Sequence, residues 1–140
     1  MNSTIYPCLW FDGKAQEAAK FYCSVFKNSK ITIDTPMVVN FELNGKKFMG
    51  LNGGPNFKFN EAISFVIDCE TQEEIDYYWS KLSEGGSEQQ CGWLKDKYGV
   101  SWQVVPTILG KLMSNPEKSG RVIQAFMKMK KFDIEKLMNA

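Results

Sequence analysis

The feature of the sequence that most constrains its fold is an order of elements that occurs twice. Near residues 3–55, and again near residues 62–106, the residue pattern predicts a strand, a helix and then about three strands. The segments AAKFYCSVF and EIDYYWSKL occupy the same helical place in the two copies, although identity between the copies is low. We therefore interpret the chain as an internal duplication followed by a helical tail.

The first copy begins with a short apolar strand and an amphipathic helix. IYPCLWFD (Ile5–Asp12) is an apolar run with aromatic residues, which is typical of a buried strand. In KAQEAAKFYCSVFKN (Lys14–Asn28) the apolar residues recur at helical spacing, so one face of the predicted helix packs on a sheet. Further along, Asn44 and Gly45 separate two apolar runs, and this pair predicts a β-hairpin turn.

The second copy repeats this order with a clear helix signal of its own. AISFVIDC (Ala62–Cys69) predicts a strand, and Thr71 with Glu74 predicts a capping box at the start of the next helix. That helix is predicted to end at the glycine pair of SEGG. The segments GWLKD and VSWQVVP then predict further strands.

The tail from Thr107 to Ala140 has helical stripes of Met and Phe. We expect Asn115-Pro116 to open one helix and Asp133 to cap another. Such a stripe is typical of a core or a subunit contact rather than a cofactor site. The lysine-rich run Met127–Lys131 is expected to be a solvated helix face, because a formal net charge of +1 does not favour nucleic acid as a partner.

The chain contains no histidine, and this restricts its chemistry more than any other feature of its composition. It lacks the most common general base near neutral pH and the most common ligand of transition metals. Neither a Ser-His-Asp nor a Cys-His arrangement is possible. Otherwise the composition, with 44% apolar, 14% aromatic and 24% charged residues, is that of an ordinary globular domain.

The four cysteines form no CxxC pair, and the start of the chain lacks the charged and apolar regions of a signal peptide. No window of the sequence is apolar enough to cross a bilayer. We therefore expect a cytoplasmic protein with reduced thiols and no membrane partner.

Several motifs carry a resemblance to a known family. The duplicated unit resembles the vicinal oxygen chelate superfamily, which includes glyoxalase I, bleomycin-resistance proteins and extradiol dioxygenases. The segments LWFDGKAQEAAKFYCSVF, FELNGKKFMGLNGGPNFKF, GWLKDKYGVSWQVVP and MKMKKFDIEKL resemble its PhnB-like branch, often labelled demethylubiquinone methyltransferase. The resemblance covers nearly the whole chain. It implies that each module curls into a half-barrel, that the two half-barrels enclose a cavity, and that two chains pair as a homodimer.

The resemblance also implies where metal ligands would lie, on inward positions of the first and last strand of each module. Gln103 falls on the usual glutamate, and Ser64 on a place where histidine is common. The first module offers Ile5 or Pro7 at its start and Met49 or Leu51 at its end. Neutral and apolar groups of this kind suit neither a transition metal nor Ca²⁺ or Mg²⁺, so we expect no metal.

The methyltransferase label would imply S-adenosylmethionine as a cofactor. A Rossmann-type site needs a glycine-rich loop between a strand and a helix. Asn52-Gly53-Gly54-Pro55 contains glycines, but the FKF that follows does not open a helix. We therefore expect no cofactor of this kind.

Period-two alternation predicts which side chains face the cavity. Three sets are expected to share a face: Ser101, Gln103 and Val105; Ser64, Val66 and Asp68; and Ile5, Pro7, Leu9 and Phe11. Trp102 and Val104 then point toward the helices, and Trp93 and Phe48 close the rim. The predicted cavity residues are Leu9, Phe11, Met49, Ser64, Asp68, Trp93, Ser101 and Gln103. This mostly apolar surface with few polar groups is typical of a small-molecule pocket.

Gln103 is the most informative of these residues, because a buried amide without a partner costs about 1–3 kcal/mol. Two interpretations remain open. Either Gln103 faces the cavity and hydrogen-bonds Ser64, a water or a ligand, or it satisfies a neighbouring backbone group. Asp68 as a buried general base and Cys91 as a reactive thiol are further candidates, although a solvated aspartate and an inert cysteine are the more common cases.

These observations predict an α+β fold of two βαβββ modules that form one glyoxalase-like domain, with modules at about 3–55 and 62–106 and a helical tail at about 107–140. The predicted function is binding of a planar or apolar small molecule in the cavity. The alternatives are an enzyme of unknown reaction on a small metabolite, and a homodimeric structural or regulatory module without a ligand.

Overall fold

A computed structural model describes residue 1 and residues 3–140 of the chain. The chain forms two compact units, Met1–Phe59 and Asn60–Ala140. Each unit contains one four-stranded sheet. The strands and helices follow the order that the duplication predicts, so the predicted α+β class with two βαβββ modules and C-terminal helices is confirmed.

The first unit is built from one helix and four strands. In chain order these are β1 (Cys8–Phe11), α1 (Ala15–Val25), β2 (Lys30–Asp34), β3 (Val38–Leu43) and β4 (Lys46–Asn52). The sheet order is β1-β4-β3-β2, with β1 parallel to β4 and the other pairs antiparallel. Asn44 and Gly45 both have positive φ, 51° and 78°, as the predicted Asn-Gly hairpin turn between β3 and β4 requires.

Helix α1 packs one face of this sheet through small and aromatic residues at helical spacing. Ala15, Ala18, Ala19, Tyr22 and Val25 are buried. The Tyr22 ring stacks on Phe41 of β3, with centroids 6.2 Å apart. The apolar period of KAQEAAKFYCSVFKN therefore produces the helix–sheet contact that it predicts, although the helix is shorter than the motif.

The second unit repeats the arrangement and adds helices at its end. It contains β5 (Ser64–Cys69), α2 (Gln72–Ser83), β6 (Ser87–Glu88), β7 (Trp93–Lys95), β8 (Ser101–Pro106), α3 (Ile108–Ser114), α4 (Ser119–Phe126) and α5 (Ile134–Met138). The sheet order is β5-β8-β7-β6, with β5 parallel to β8. The Thr71 hydroxyl accepts a hydrogen bond from Glu74 N at 3.2 Å, which confirms the predicted cap of α2.

The C-terminal helices pack on the second unit itself. Val122, Phe132 and Leu137 of the predicted stripe are buried, whereas Met127 and Met138 remain exposed. The Asp133 carboxylate accepts from Lys136 N at 3.1 Å and caps α5, as predicted. Helix α4 begins at Ser119, after the Asn115-Pro116 turn rather than at it. Most of the apolar stripe is therefore buried within the second unit.

Among the described helices, none is long and apolar enough to cross a membrane.

Candidate functional site

The face of the second sheet that is turned away from α2, called here the far face, carries most of the predicted site residues. Strand register places side chains on this face in three cross-strand rows. The rows are Ser64–Ser101–Lys95, Val66–Gln103–Trp93 and Asp68–Val105. Leu94, Trp102 and Val104 alternate with them and are buried on the side of α2. The predicted parity of β5 and β8 is therefore confirmed.

A buried carboxylate holds the turn that leads into β8. Asp96 is 2% exposed and accepts hydrogen bonds from Tyr98 N, Val100 N and the indole Nε1 of Trp102, at 2.9, 3.0 and 2.9 Å. Gly99, with φ of 90°, closes the same turn. Because this network draws the Trp102 ring to one side of the strand, its neighbour Gln103 faces the other side. No local pattern in the sequence marks Asp96 as a buried residue.

Gln103 has a side-chain partner on the neighbouring strand. Its Nε2 donates a hydrogen bond to Ser64 Oγ at 2.9 Å. Of the partners that the sequence left open for Gln103, namely Ser64, a water, a ligand or a backbone group, the structure shows Ser64. A Gln side chain has two donors and an acceptor oxygen, so this bond leaves hydrogen-bonding capacity on the far face.

Ser101 lies between two polar neighbours and yet has no hydrogen-bond partner. It is directly opposite Ser64 on one side and Lys95 on the other, and it is 1% exposed. In the described part of the chain, Ser101 Oγ and Asn40 Oδ1 are the buried side-chain oxygens without a partner. Burying a hydroxyl in this way costs about 1–3 kcal/mol, so the position is more polar than its packing requires.

Lys95 completes the first row and carries the only cation of the three rows. Its Nζ lies 3.1 Å from Glu61 Oε2, in the loop before β5. The pKa of the Glu61 carboxyl is lowered, chiefly by the hydrogen bond from Lys95 and also by one from Gln89. Lys95 was not among the residues predicted to face the cavity. The signal available was its parity with Trp93, two residues earlier on the same strand.

The other two rows are more apolar and partly open to solvent. Val66 is 56% exposed, and Trp93 and Val105 are half-buried. Asp68 is exposed at the end of β5. The hypothesis that Asp68 acts as a buried general base therefore loses its premise, since Asp68 is not buried.

The predicted face of β1 is wrong. Leu9 and Phe11 are buried, and they lie on the face that α1 covers. A Cβ added at Gly50, the register partner of Leu9, would meet Val39, Ala15 of α1 and Phe11 at 3.0–3.5 Å. Cys8, Trp10 and Met49 occupy the opposite face. Every residue of β1 is apolar or a cysteine, so the alternation of polar and apolar residues could not show which face is buried. The prediction was wrong by one residue, and in a strand an error of one residue places every side chain on the opposite face.

The duplication itself shows the correct equivalence. Gly53 N donates to Phe11 O at the end of the first parallel pair, as Thr107 N donates to Cys69 O in the second. Met49 lies four residues before Gly53, as Gln103 lies four residues before Thr107, so Met49 rather than Leu51 corresponds to Gln103. Tyr6, rather than Ile5 or Pro7, corresponds to Ser64. The Tyr6 ring lies 4.0 Å from Lys47 Nζ. Phe48, expected at a rim, instead stacks on Phe41 in the core.

The residues at the positions where the family resemblance implies metal ligands do not suit a metal ion. Gln103 and Ser64 are neutral and bonded to each other, and their equivalents are a thioether and a phenol. Within the described residues there is no group of three or more Cys, Asp or Glu that could hold a metal ion. Divalent metals need carboxylate, imidazole or thiolate ligands, so we derive no step through a metal.

The glycines of Asn52-Gly53-Gly54-Pro55 hold a tryptophan rather than a nucleotide. A Cβ at Gly53 would lie 2.3 Å from the Trp10 ring, and Trp10 Nε1 donates to Gly54 O at 2.9 Å. The Trp10 ring fills the space next to these glycines that a cofactor-binding loop would leave for the ribose. The residues present do not fit S-adenosylmethionine bound in the Rossmann manner.

The cysteines show no sign of activation. Burial raises the pKa of Cys69 to about 12, with smaller contributions from Glu74 and Asp68. Burial likewise raises the pKa of Cys8 and of Cys23. Cys91 has a φ of 59°, and its backbone N–H donates to Met129 O, so its backbone helps to hold the tail. The described cysteines are all free thiols.

A groove of about 1020 Å³ lies between the start of α2 and the tail. Two of its charged side chains form an ion pair with each other, since Lys131 Nζ lies 2.8 Å from an Asp76 carboxylate oxygen. The pKa of Asp76 is lowered, first by the hydrogen bond from Lys131 and then by that from Gln72. None of the predicted site residues lines this groove. Its contacts instead hold the tail, and the far face remains the candidate site.

Comparison with known proteins agrees with the fold described above. A family profile described as 3-demethylubiquinone-9 3-methyltransferase matches residues 3–105. Among solved structures, the PhnB protein from Bacillus cereus shares 36% identity with a TM-score of 0.69, over 75% of this chain and 100% of that chain. A comparison with curated proteins gives no match.

More distant structures share the fold alone. Protein PA1353 from Pseudomonas aeruginosa is 21% identical with a TM-score of 0.64, over 75% of this chain and 98% of that one. The fosfomycin resistance protein FosX from Listeria monocytogenes, solved with Mn(II) and a sulfate ion, is 11% identical with a TM-score of 0.58. That match covers 86% of this chain and 97% of FosX.

Proposed function

The chain belongs to the PhnB-like family described as 3-demethylubiquinone-9 3-methyltransferase, and from the far face of its second sheet we propose that it is a small-molecule binding protein of the glyoxalase and bleomycin-resistance type. In this proposal an apolar or aromatic ligand lies on the far face, and no superfamily metal takes part. The ligand is held by burial of apolar surface and a few hydrogen bonds.

The observation that carries the proposal is the Gln103–Ser64 hydrogen bond of 2.9 Å. The two residues occupy positions where the resemblance implies metal ligands. In place of histidine and glutamate they offer an amide and a hydroxyl, which can orient a neutral ligand by hydrogen bonds. Val66 and Trp93 share a cross-strand row with Gln103, so apolar surface lies directly beside the polar pair. Exposed apolar groups around a few polar ones are the usual composition of a ligand surface.

The test is a thermal-shift and calorimetric screen with a panel of neutral aromatic compounds, including benzamide. We expect at least one compound to raise the melting temperature and to bind with one site per chain. Trp93→Ala should weaken binding of that compound about tenfold. The loss of an aromatic contact costs about 1.4 kcal/mol, and this free energy corresponds to a factor of about ten in Kd. Gln103→Leu should fold and bind with an altered order of preference.

The matched control is Tyr77→Ala, which removes an exposed aromatic ring from α2 instead of from the far face. It should leave binding unchanged. If no compound binds, or if Tyr77→Ala and Trp93→Ala weaken binding equally, the far face is not a ligand site. If Gln103→Leu does not fold, the amide has a structural role instead.

A further inference from the structure

The row Ser64–Ser101–Lys95 contains more hydrogen-bonding capacity than a neutral ligand needs. Ser101 is directly opposite Ser64 on β5 and Lys95 on β7, and the three side chains lie on the far face. All three can donate a hydrogen bond, and Lys95 adds a positive charge. Ser101 Oγ is buried and has no partner within the described residues. A cluster of donors around an unpartnered hydroxyl is suited to an oxygen that carries negative charge.

A carboxylate of the chain already contacts one end of this row. Glu61 Oε2 lies 3.1 Å from Lys95 Nζ, and the Glu61 side chain is 53% exposed whereas that of Lys95 is 29% exposed. Glu61 belongs to the loop before β5, outside any strand or helix. An exposed ion pair of this kind contributes little to stability. A carboxylate from solution can therefore compete with Glu61 for Lys95.

We propose that Lys95, Ser101 and Ser64 form a subsite for the carboxylate of a small apolar or aromatic acid, and that Glu61 is an internal competitor for it. The inference rests on the proposed function, because the same ligand places its apolar body on the neighbouring row. It names the class of ligand: an organic anion with a ring or short hydrocarbon part.

The spacing of the rows supports this class. Side chains two residues apart on one strand are about 7 Å apart, so the Val66–Gln103–Trp93 row lies one ring length from the carboxylate position. Asp68 lies in the third row, four residues from Ser64 and about 13 Å along the strand. Its negative charge disfavours the reverse orientation. The ligand therefore directs its carboxylate toward Lys95 and its ring toward Trp93.

The experiment compares benzoate with benzamide, which have the same shape and differ in charge. Binding to the full chain is measured by calorimetry at neutral pH and low salt. We expect benzoate to bind about tenfold more tightly than benzamide, as a charge-assisted hydrogen bond allows. Lys95→Gln should remove the preference, because the loss of the positive charge weakens benzoate binding far more than benzamide binding. Glu61→Gln should strengthen benzoate binding, because the competing carboxylate is gone.

Two further variants separate the subsite from general effects. Ser101→Ala should weaken benzoate binding by about threefold to tenfold and benzamide binding by less, because a hydrogen bond to a charged oxygen is stronger than one to a neutral oxygen. Lys97→Gln makes the same change in net charge as Lys95→Gln but alters a side chain in the turn after β7, so it should preserve the preference for benzoate.

Each outcome decides between the two proposals. Benzamide binding as tightly as benzoate would overturn the carboxylate subsite and leave the binding function intact. Equal losses in Lys95→Gln and Lys97→Gln would show a general effect of charge and would also overturn it. If benzoate, benzamide and the neutral panel all fail to bind, both proposals fail.

Discussion

At the scale of single residues, the orientation of the candidate site depends on one buried carboxylate. Asp96 accepts three hydrogen bonds, two from backbone N–H groups and one from the Trp102 indole. A carboxylate in a largely buried position is expensive unless it is fully paired, and this one is. The Gln103 side chain points to the opposite face of the sheet from Trp102, because the two residues are adjacent on β8. The residue that positions Gln103 is therefore not itself on the far face.

The first prediction concerns Asp96. Asp96→Ala should reduce the free energy of unfolding by about 3 kcal/mol, because it leaves three donors without their acceptor. Asp96→Asn keeps one acceptor oxygen and should lose about half as much. Urea denaturation followed by tryptophan fluorescence measures both. The control is Asp68→Ala, an exposed aspartate, which should change stability by less than about 0.5 kcal/mol. Similar values for Asp96→Ala and Asp68→Ala would contradict the role of Asp96.

At the scale of elements, the tail is joined to the second sheet by backbone contacts near Gly92. Cys91 N donates to Met129 O and Gly92 N to Lys130 O, both at 2.8 Å. The Phe132 ring then lies against Gly92, where a Cβ would be 2.4 Å from a ring atom. Gly92 has a φ of 79°, a left-handed conformation that suits glycine. The C-terminal segment is thus part of the second module's structure.

The second prediction tests this junction. Gly92→Ala should destabilise the protein by about 2–3 kcal/mol, because the methyl group meets the Phe132 ring and the φ is unfavourable for alanine. The matched control is Gly110→Ala in α3, where an added Cβ meets no atom within 4 Å. That control should be neutral or stabilising by up to about 1 kcal/mol. Both are measured by urea denaturation. Equal stability of the two variants would show that Phe132 does not pack as described.

At the scale of the whole molecule, stability is expected to be independent of metal. The superfamily positions carry an amide, a hydroxyl, a thioether and a phenol, and the chain has no histidine. Ligands of this kind bind divalent metals weakly. The fold alone therefore does not imply metal chemistry, because such chemistry depends on the residues at the site.

The third prediction follows from this donor set. Treatment with a chelator, followed by dialysis, should leave the melting temperature unchanged. Addition of Mn²⁺, Ni²⁺, Zn²⁺ or Mg²⁺ should not raise it beyond the effect of matched ionic strength. Differential scanning calorimetry on untagged protein measures the temperature, and mass spectrometry measures bound metal. A fall of several degrees that one metal reverses would contradict the prediction and revive a metal-dependent function.

The sequence by itself determined the order of elements, the hairpin and capping signals, and the parity of β5 and β8. In those strands polar residues such as Ser64 and Gln103 alternate with large apolar ones, so the pattern reports the face directly. From this parity the sequence also offered Ser64 as one of the possible partners of Gln103. These features depend on neighbours along one strand or across one pair, which a local pattern records.

Only the tertiary structure decided the face of β1, the burial of Ser101 and the pairing of Lys95 with Glu61. β1 is apolar on both faces, so its pattern is the same in either register, and packing against α1 chose between them. Lys95 and Glu61 are 34 positions apart in the chain and meet only because β7 and the loop before β5 lie near each other. Contacts of this kind leave no local trace, because they depend on how distant strands are brought together.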